Sequence, residues 1–312
     1  ESAGGILLVI AAAIAMVVAN TGLGETYNGV LHSYVFGMSV SHWINDGLMA
    51  VFFFVVGLEL KREIIAGELR DPKNAVMPIL AALGGMIVPA VLYLFFNSNG
   101  ETSNGWGIPM ATDIAFALGV LYLLGDKVPL SLKIFLTALA IVDDIGAVLV
   151  IAFFYTSDIN FLSLSVGGGV FIILVLSNLL GVRNTLYYGI MGIGGLWLAF
   201  LMSGVHATIA AVIAAMTIPA TVKISESEYI SGLKRLTNRF KNQDAIAGPT
   251  VSETQLHILE DIRSFSKKAL TPLQRLEHRM HPLVAFIIMP VFALSNAGVT
   301  FSSDFLEQIT NP

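Results

Sequence analysis

Long apolar runs, separated by short polar or Gly/Pro-containing segments, divide this chain into nine stretches: about 3–20, 43–60, 75–97, 106–125, 131–156, 162–181, 185–202, 204–219 and 281–300. A helix needs roughly 20 apolar residues to cross a bilayer, and each stretch is read as such a span. The pair at 185–202 and 204–219 is short and tightly joined, so its boundaries are the least sharply marked. The first run lacks a basic flank and is longer than the apolar core of a signal peptide. It reads as the first spanning helix, behind a start that lacks Met and looks trimmed.

The long polar stretch at 221–280, rich in Lys, Glu, Ser and Gln, breaks the pattern. Within it Leu256, Leu259, Ile262 and Phe265 recur at helical spacing. One amphipathic helix or a pair is expected there, lying on the membrane surface, covering a mouth, or set in a solvated linker. The domain reading is therefore 1–220 for helices one to eight with an ion site, 221–271 for a cytoplasmic loop, and 272–312 for the ninth helix and its outer end.

Charge then tests the partition, because Lys and Arg gather in alternate, cytoplasmic loops. Lys61, Arg62, Arg70 and Lys73 follow the second run, Lys127 and Lys133 flank the start of the fifth, and Arg183 follows the sixth. A further group from Lys223 to Arg279 follows the eighth, while segments 21–42, 98–105, 157–161 and 301–312 contain none. All 17 basic residues thus fall on one side. This predicts a cytoplasmic N-terminus and, after nine spans, an outside C-terminus.

The composition agrees: 312 residues, 55% hydrophobic, 12% charged, mean hydropathy +0.77. That is a polytopic membrane protein. The absence of cysteine excludes disulfides, thiolate nucleophiles and Cys-ligated metals. The net charge of −5 is uninformative about partners, and nothing reads as a nucleic-acid surface.

Two adjacent acids, Asp143 and Asp144, interrupt the run IFLTALAIVDDIGAVLVIAFFYT at 134–156 about halfway along. Each costs about 2.5 to 3.5 kcal/mol to insert, so the pair is read as an ion or proton site. The alternative is a protonated pair that only links helices. Two carboxylates this close cannot both ionise cheaply without a cation, so their titrations couple. Hard oxygens suit a small cation, which makes the pair a natural exchange site.

Asp113 lies inside the fourth run, behind Gly105, Gly107, Pro109 and Thr112. Proline removes a helix hydrogen bond and glycine weakens the helix, so broken backbone facing an ion is expected. The bland alternative places Asp113 near a loop. Enzyme readings fail on spacing: there is no DDxxD, no GxGD at either acid site and no nucleophile elbow.

The remaining ionisable groups stand near run ends. Asp46 is either a cation attractor in an outer funnel or an interfacial residue. Glu59, Lys61, Arg62 and Glu63 read first as snorkelling anchors and a topology signal. Glu277, His278 and His281 mark the inner entrance of the ninth run, where histidine titrates near neutral pH. His206 reads as a packed or hydrogen-bonded residue.

With these residues in view, the sequence resembles the bacterial NhaA family of sodium/proton antiporters. The carrying stretches are WINDGLMAVFFFVVGLELKRE, PMATDIAFALGVLYLLG, LKIFLTALAIVDDIGAVLVIAFFYT, SGVHATIAAV, RLEHRMHPLVAF and FALSNAGV, in family order. The resemblance implies an all-α, NhaA-like antiporter fold with a discontinuous helix. It makes Asp143 and Asp144 the pair that carries Na+ (or Li+) and protons, Asp144 foremost, with Asp113 and Thr112 at the broken helix. Asp46 falls on the outer pathway, and Glu59, Arg62, Glu63, Glu277 and His278 match a pH-responsive cluster.

The family fold has twelve helices, so a lysine-bearing helix and a second broken helix are expected beyond the nine. The 221–271 loop is longer than the family's, and Gln274 stands where the family often has a lysine. The expected function is electrogenic, pH-activated exchange of cytoplasmic sodium or lithium for external protons by alternating access in the bacterial inner membrane, with no enzyme activity and no cofactor. Membrane lipid, sodium and protons are the expected partners, with a homodimer as a further one. The alternatives are a proton-coupled carrier of another solute, or a non-transporting scaffold or sensor built on a truncated transporter body.

Overall fold

The computed structural model describes residues 2–98, 101–110, 121, 124, 127–155, 159–243 and 250–301. Helices dominate. Helix α1 (Ser2–Ala19) turns into α2 (Gly24–His32) with a bend of 112°. A two-residue hairpin follows, β1 (Tyr34–Val35) against β2 (Met38–Ser39). Its turn residues Phe36 and Gly37 both take positive φ, as a tight primed turn requires. Segment 21–42, which the sequence marks only as a connection without basic residues, therefore holds a helix and a hairpin.

Helix α3 runs continuously over 40–66, through Val40–His42, a π turn at Trp43–Leu48 and Met49–Ala66. Helix α4 (Pro72–Phe96) starts at Asp71, whose carboxylate accepts the Lys73 N–H, with Pro72 in the first turn. A 3₁₀ segment, Glu101–Met110, lies across the ends of α4 and α5 (Leu130–Phe154). It is tied there by Tyr93 Oη donating to Thr102 O and Tyr155 Oη donating to Asn104 O. Then come α6 (Phe161–Leu179), α7 (Thr185–Leu201, with a π turn at Ile190–Trp197) and α8 (Ala207–Met216).

Segment 221–271 holds two helices, α9 (Glu226–Lys241) and α10 (Glu253–Ala269), packed on each other. Each begins with a capping box, Ser225/Glu228 and Ser252/Gln255. Tyr229 stacks on Phe265, and its hydroxyl meets Ser266 Oγ at 3.1 Å. The apolar stripe expected in α10 faces α9 only in its second half, at Ile262 and Phe265. Ile258 is buried with Gln255, whereas Leu256 and Leu259 are exposed.

Helix α11 (Pro272–Asn296, with a π turn at Val284–Ile288) starts nine residues before the expected ninth run. Its start is fixed by a third capping box, Thr271 with Gln274, and by Pro272 in the first turn. The charged residues at 275–279, read as the entrance ahead of the apolar run at 281–300, lie inside this helix.

Among the described residues, four helices are long and apolar enough to cross a bilayer: α4, α5, α6 and α11. The bent pair α1–α2 is a fifth if taken as one span. Helix α8 has ten residues, about 15 Å, which is half the hydrocarbon thickness. Leu80 and Phe95 of α4 and Leu162 and Leu179 of α6 point outward and exposed. Apolar surface on that scale is suited to lipid rather than water.

The core forms where α3, α7 and α8 meet. Phe54 and Leu58 pack with Leu196, Trp197 and the alanines Ala207, Ala210, Ala211, Ala214 and Ala215. Small residues let helix backbones approach closely in a membrane. At Gly57 an added Cβ would lie 2.8 Å from Ala215 Cβ and 3.0 Å from Val212 Cα.

Candidate functional site

Three polar groups stand out in this bundle. The first is on α5, which packs against α4 through Val142 and Val150, beside Met86 and Ala90. Gly146 lets Met86 lie close, since a Cβ there would sit 2.4 Å from its sulfur. Asp143, next to Val142, is buried with 4% exposure. Asp144 keeps partial exposure. The 100° step between neighbours on a helix thus places two carboxylates in different surroundings. Asp143 is enclosed as a whole, whereas Asp144 is exposed only in part and its Oδ2 is itself buried. Helices α3 and α8 also meet α5, so the acids belong to the packed interior of the bundle. Asp113 and Thr112 lie outside the described residues.

The second group is at the π turn of α3. His42 Nε2 and Asp46 Oδ2 are 3.1 Å apart. The Asp46 carbonyl accepts the Trp197 indole N–H at 3.1 Å, and the Trp43 indole N–H donates to Val35 O of the hairpin at 2.9 Å. Asn296 Nδ2 donates to Asn45 Oδ1 at 2.8 Å. Two π turns, in α3 and α7, therefore meet at Asp46 and Trp197. A π turn misaligns the helix ladder and commonly marks a functional position.

The third group lies 16 residues further along α3, about 24 Å away. Arg62 Nη1 meets Glu277 Oε1 at 3.0 Å and Arg62 Nη2 meets Glu63 Oε1 at 3.2 Å. Both acids are largely buried (13% and 15% side-chain exposure), while Arg62 is 42% exposed. Glu59 stands one turn before Glu63 on the same helix. His278 and His281 lie near enough to act on Glu277's charge, although His278 itself is exposed. The fold thus brings together Arg62, Glu63 and Glu277, with Glu59 and His278 beside them. Asp46 stands apart, at the other end of α3.

Against this geometry, a family model described as "Na+/H+ antiporter 1" matches residues 1–312. The chain belongs to the Na+/H+ antiporter 1 family. It is 50% identical over 323 residues to the Na+/H+ antiporter NhaA of Oleidesulfovibrio alaskensis, covering 100% of this chain and 71% of that protein. The NhaA of Vibrio vulnificus strain YJ016 is 47% identical over 312 residues, covering 100% and 69%. That of Wolinella succinogenes is 48% identical over 313 residues, covering 97% and 69%. A member of the Na+/H+ antiporter 1 family is a helical, multi-pass membrane transporter and not an enzyme, and works without a cofactor.

Several residues of this antiporter escaped the sequence reading. Lys61 does not snorkel: its Nζ donates to Met216 O at 2.6 Å and Ile218 O at 2.5 Å, at the end of α8. Trp197 and Asn296 reach Asp46 and Asn45 from distant helices, which no local pattern announces. Gln274 was legible, because Thr271 and Gln274 have the spacing of a capping box.

Proposed function

We propose that this protein exchanges cytoplasmic sodium or lithium for external protons by alternating access. The carrying observation is the adjacent carboxylate pair Asp143–Asp144 inside a 25-residue apolar helix, with Asp143 and the Oδ2 of Asp144 both buried. Relatives named Na+/H+ antiporters support the same reading.

The two carboxylates hold either protons or one cation. With both deprotonated, they offer a sodium ion hard oxygen ligands and two negative charges. On the opposite side protons displace the cation and neutralise the pair. Two protons enter per sodium that leaves, so one net positive charge moves inward per cycle. High internal pH favours the cycle because it empties the carboxylates of protons.

Asp113 and Thr112 are assigned by the family resemblance to the same ion site, in a body of nine spans with its N-terminus in the cytoplasm of a bacterial inner membrane. Asp46 lies on the outer pathway. Glu59, Arg62, Glu63, Glu277 and His278 respond to cytoplasmic pH, and the α9–α10 unit within 221–271 is a cytoplasmic appendage to residues 1–220 and 272–312.

Proteoliposomes with an internal pH dye test this directly. External sodium or lithium is expected to make the interior alkaline, faster when potassium and valinomycin dissipate the potential. A response to an organic solute in place of sodium contradicts the exchange, and indifference to valinomycin contradicts its electrogenicity.

A further inference from the structure

The C-terminus of α8 is held by several helices at once. The last carbonyls of a helix have no partner within it; here Met216 O and several carbonyls of the segment just after α8 are taken by groups from other elements. Lys61 of α3 takes Met216 O and Ile218 O, and Asn178 Nδ2 of α6 takes Thr217 O at 2.7 Å. The Leu273 N–H of α11 donates to Pro219 O at 3.3 Å, and Arg183 donates to Thr221 O. Arg183 O in turn accepts Arg275 Nη2 of α11 at 3.3 Å.

Within this knot Lys61 is the one charged group from α3. An ammonium at a helix C-terminus is favoured by the dipole, and carbonyls replace the water it loses. Gly57 is four residues earlier, so both lie on the same face of α3. There the α3 backbone touches Val212 and Ala215 of α8. Helix α3 is thus fixed to α8 at two successive turns. The next residue, Arg62, grips Glu277 of α11.

We propose that Lys61 is a positioning residue: by locking the inner end of α3 to the α8 C-terminus, it sets the register of Arg62 against Glu277 and hence the pH at which exchange begins. This rests on the exchange and pH-response reading given above. The charged groups around that contact are Glu59, Lys61 and Glu63 on α3, Arg275, His278, Arg279 and His281 on α11, and Arg183 ahead of α7. Without Lys61, α8 loses a charged cap and α3 loses one of its two fixings. Arg62 is then free to exchange Glu277 for Glu63 alone.

The test compares Lys61→Met and Lys61→Arg with the parent in proteoliposomes, measuring sodium-evoked proton movement between about pH 6 and pH 9. Spin labels on cysteines placed at Ile65 and Leu283, in a chain that has no cysteine of its own, report the spacing of α3 and α11. Lys61→Met is expected to shift the half-activation pH by about one unit and to broaden the distance distribution, while Lys61→Arg restores both. A fall in rate with unchanged half-activation pH, or an unchanged distance distribution, overturns the proposal. If the parent shows no sodium-evoked proton movement, the exchange reading falls. The distances then decide the positioning role alone, broadening for it and constancy against it.

Discussion

Asp144→Asn is expected to reduce sodium-evoked proton movement to the level of protein-free vesicles. The amide keeps the shape of the carboxylate but carries neither charge nor releasable proton. Removing one member of a desolvated charge pair costs roughly 2 to 5 kcal/mol, which corresponds to about thirtyfold to several thousandfold in cation affinity. Asp144 and the buried Asp143 are adjacent on α5, and the Oδ2 of Asp144 is itself buried, so a cation held by the proposed pair would lose one of its two charges away from bulk water. Thermal unfolding should stay close to that of the parent, since no volume changes. A folded Asp144→Asn protein that still moves protons on a sodium pulse would remove Asp144 from the mechanism.

The largest effect on stability is expected at Gly57. Its Cβ would meet backbone, not a flexible side-chain end: 3.0 Å to Val212 Cα and 3.1 Å to Val212 O, with Ala215 Cβ at 2.8 Å. Neither helix can yield locally, because α3 and α8 are joined again one turn on through Lys61. Gly57→Ala should destabilise by roughly 1 to 3 kcal/mol, as overpacking does, and Gly57→Leu should prevent the α3–α8 pair from assembling. Gly84 of α4, with nothing within 4 Å of its added Cβ, is the control. There alanine should be neutral or slightly stabilising. Equal melting temperatures for Gly57→Ala and Gly84→Ala in detergent would refute the packing argument.

Much of the bundle was legible in the sequence because insertion in lipid demands long apolar runs. The runs at 75–97, 131–156 and 162–181 lie within a few residues of α4, α5 and α6. Hydropathy fails where polar residues are solvated or paired inside a helix. Helix α3 continues through Lys61, Arg62 and Glu63, and α11 begins ahead of Arg275 and Glu277. Those charges pair with each other or with helix carbonyls instead of ending the helix. The carboxylate pair was legible for the same energetic reason, since two acids inside an apolar run oppose insertion.

The grouping of Arg62 with Glu277 came from family resemblance, because 215 residues of chain separate them and no local spacing joins them. The three π turns left no mark in the apolar periodicity. One extra residue in a turn shifts the following face by about 100°, and helices apolar on nearly every side hide such a shift.

The central claim is that one pair of carboxylates holds either protons or a sodium ion. Its most direct test is the sodium concentration giving half-maximal exchange, measured in proteoliposomes across a series of acidic to alkaline pH values. Competition predicts that this concentration rises at least about tenfold for each unit fall in pH once the pair begins to bind protons, while the maximal rate at saturating sodium is retained. A half-maximal concentration that stays constant while the maximal rate falls with pH would contradict a shared site, and would move proton binding away from Asp143 and Asp144.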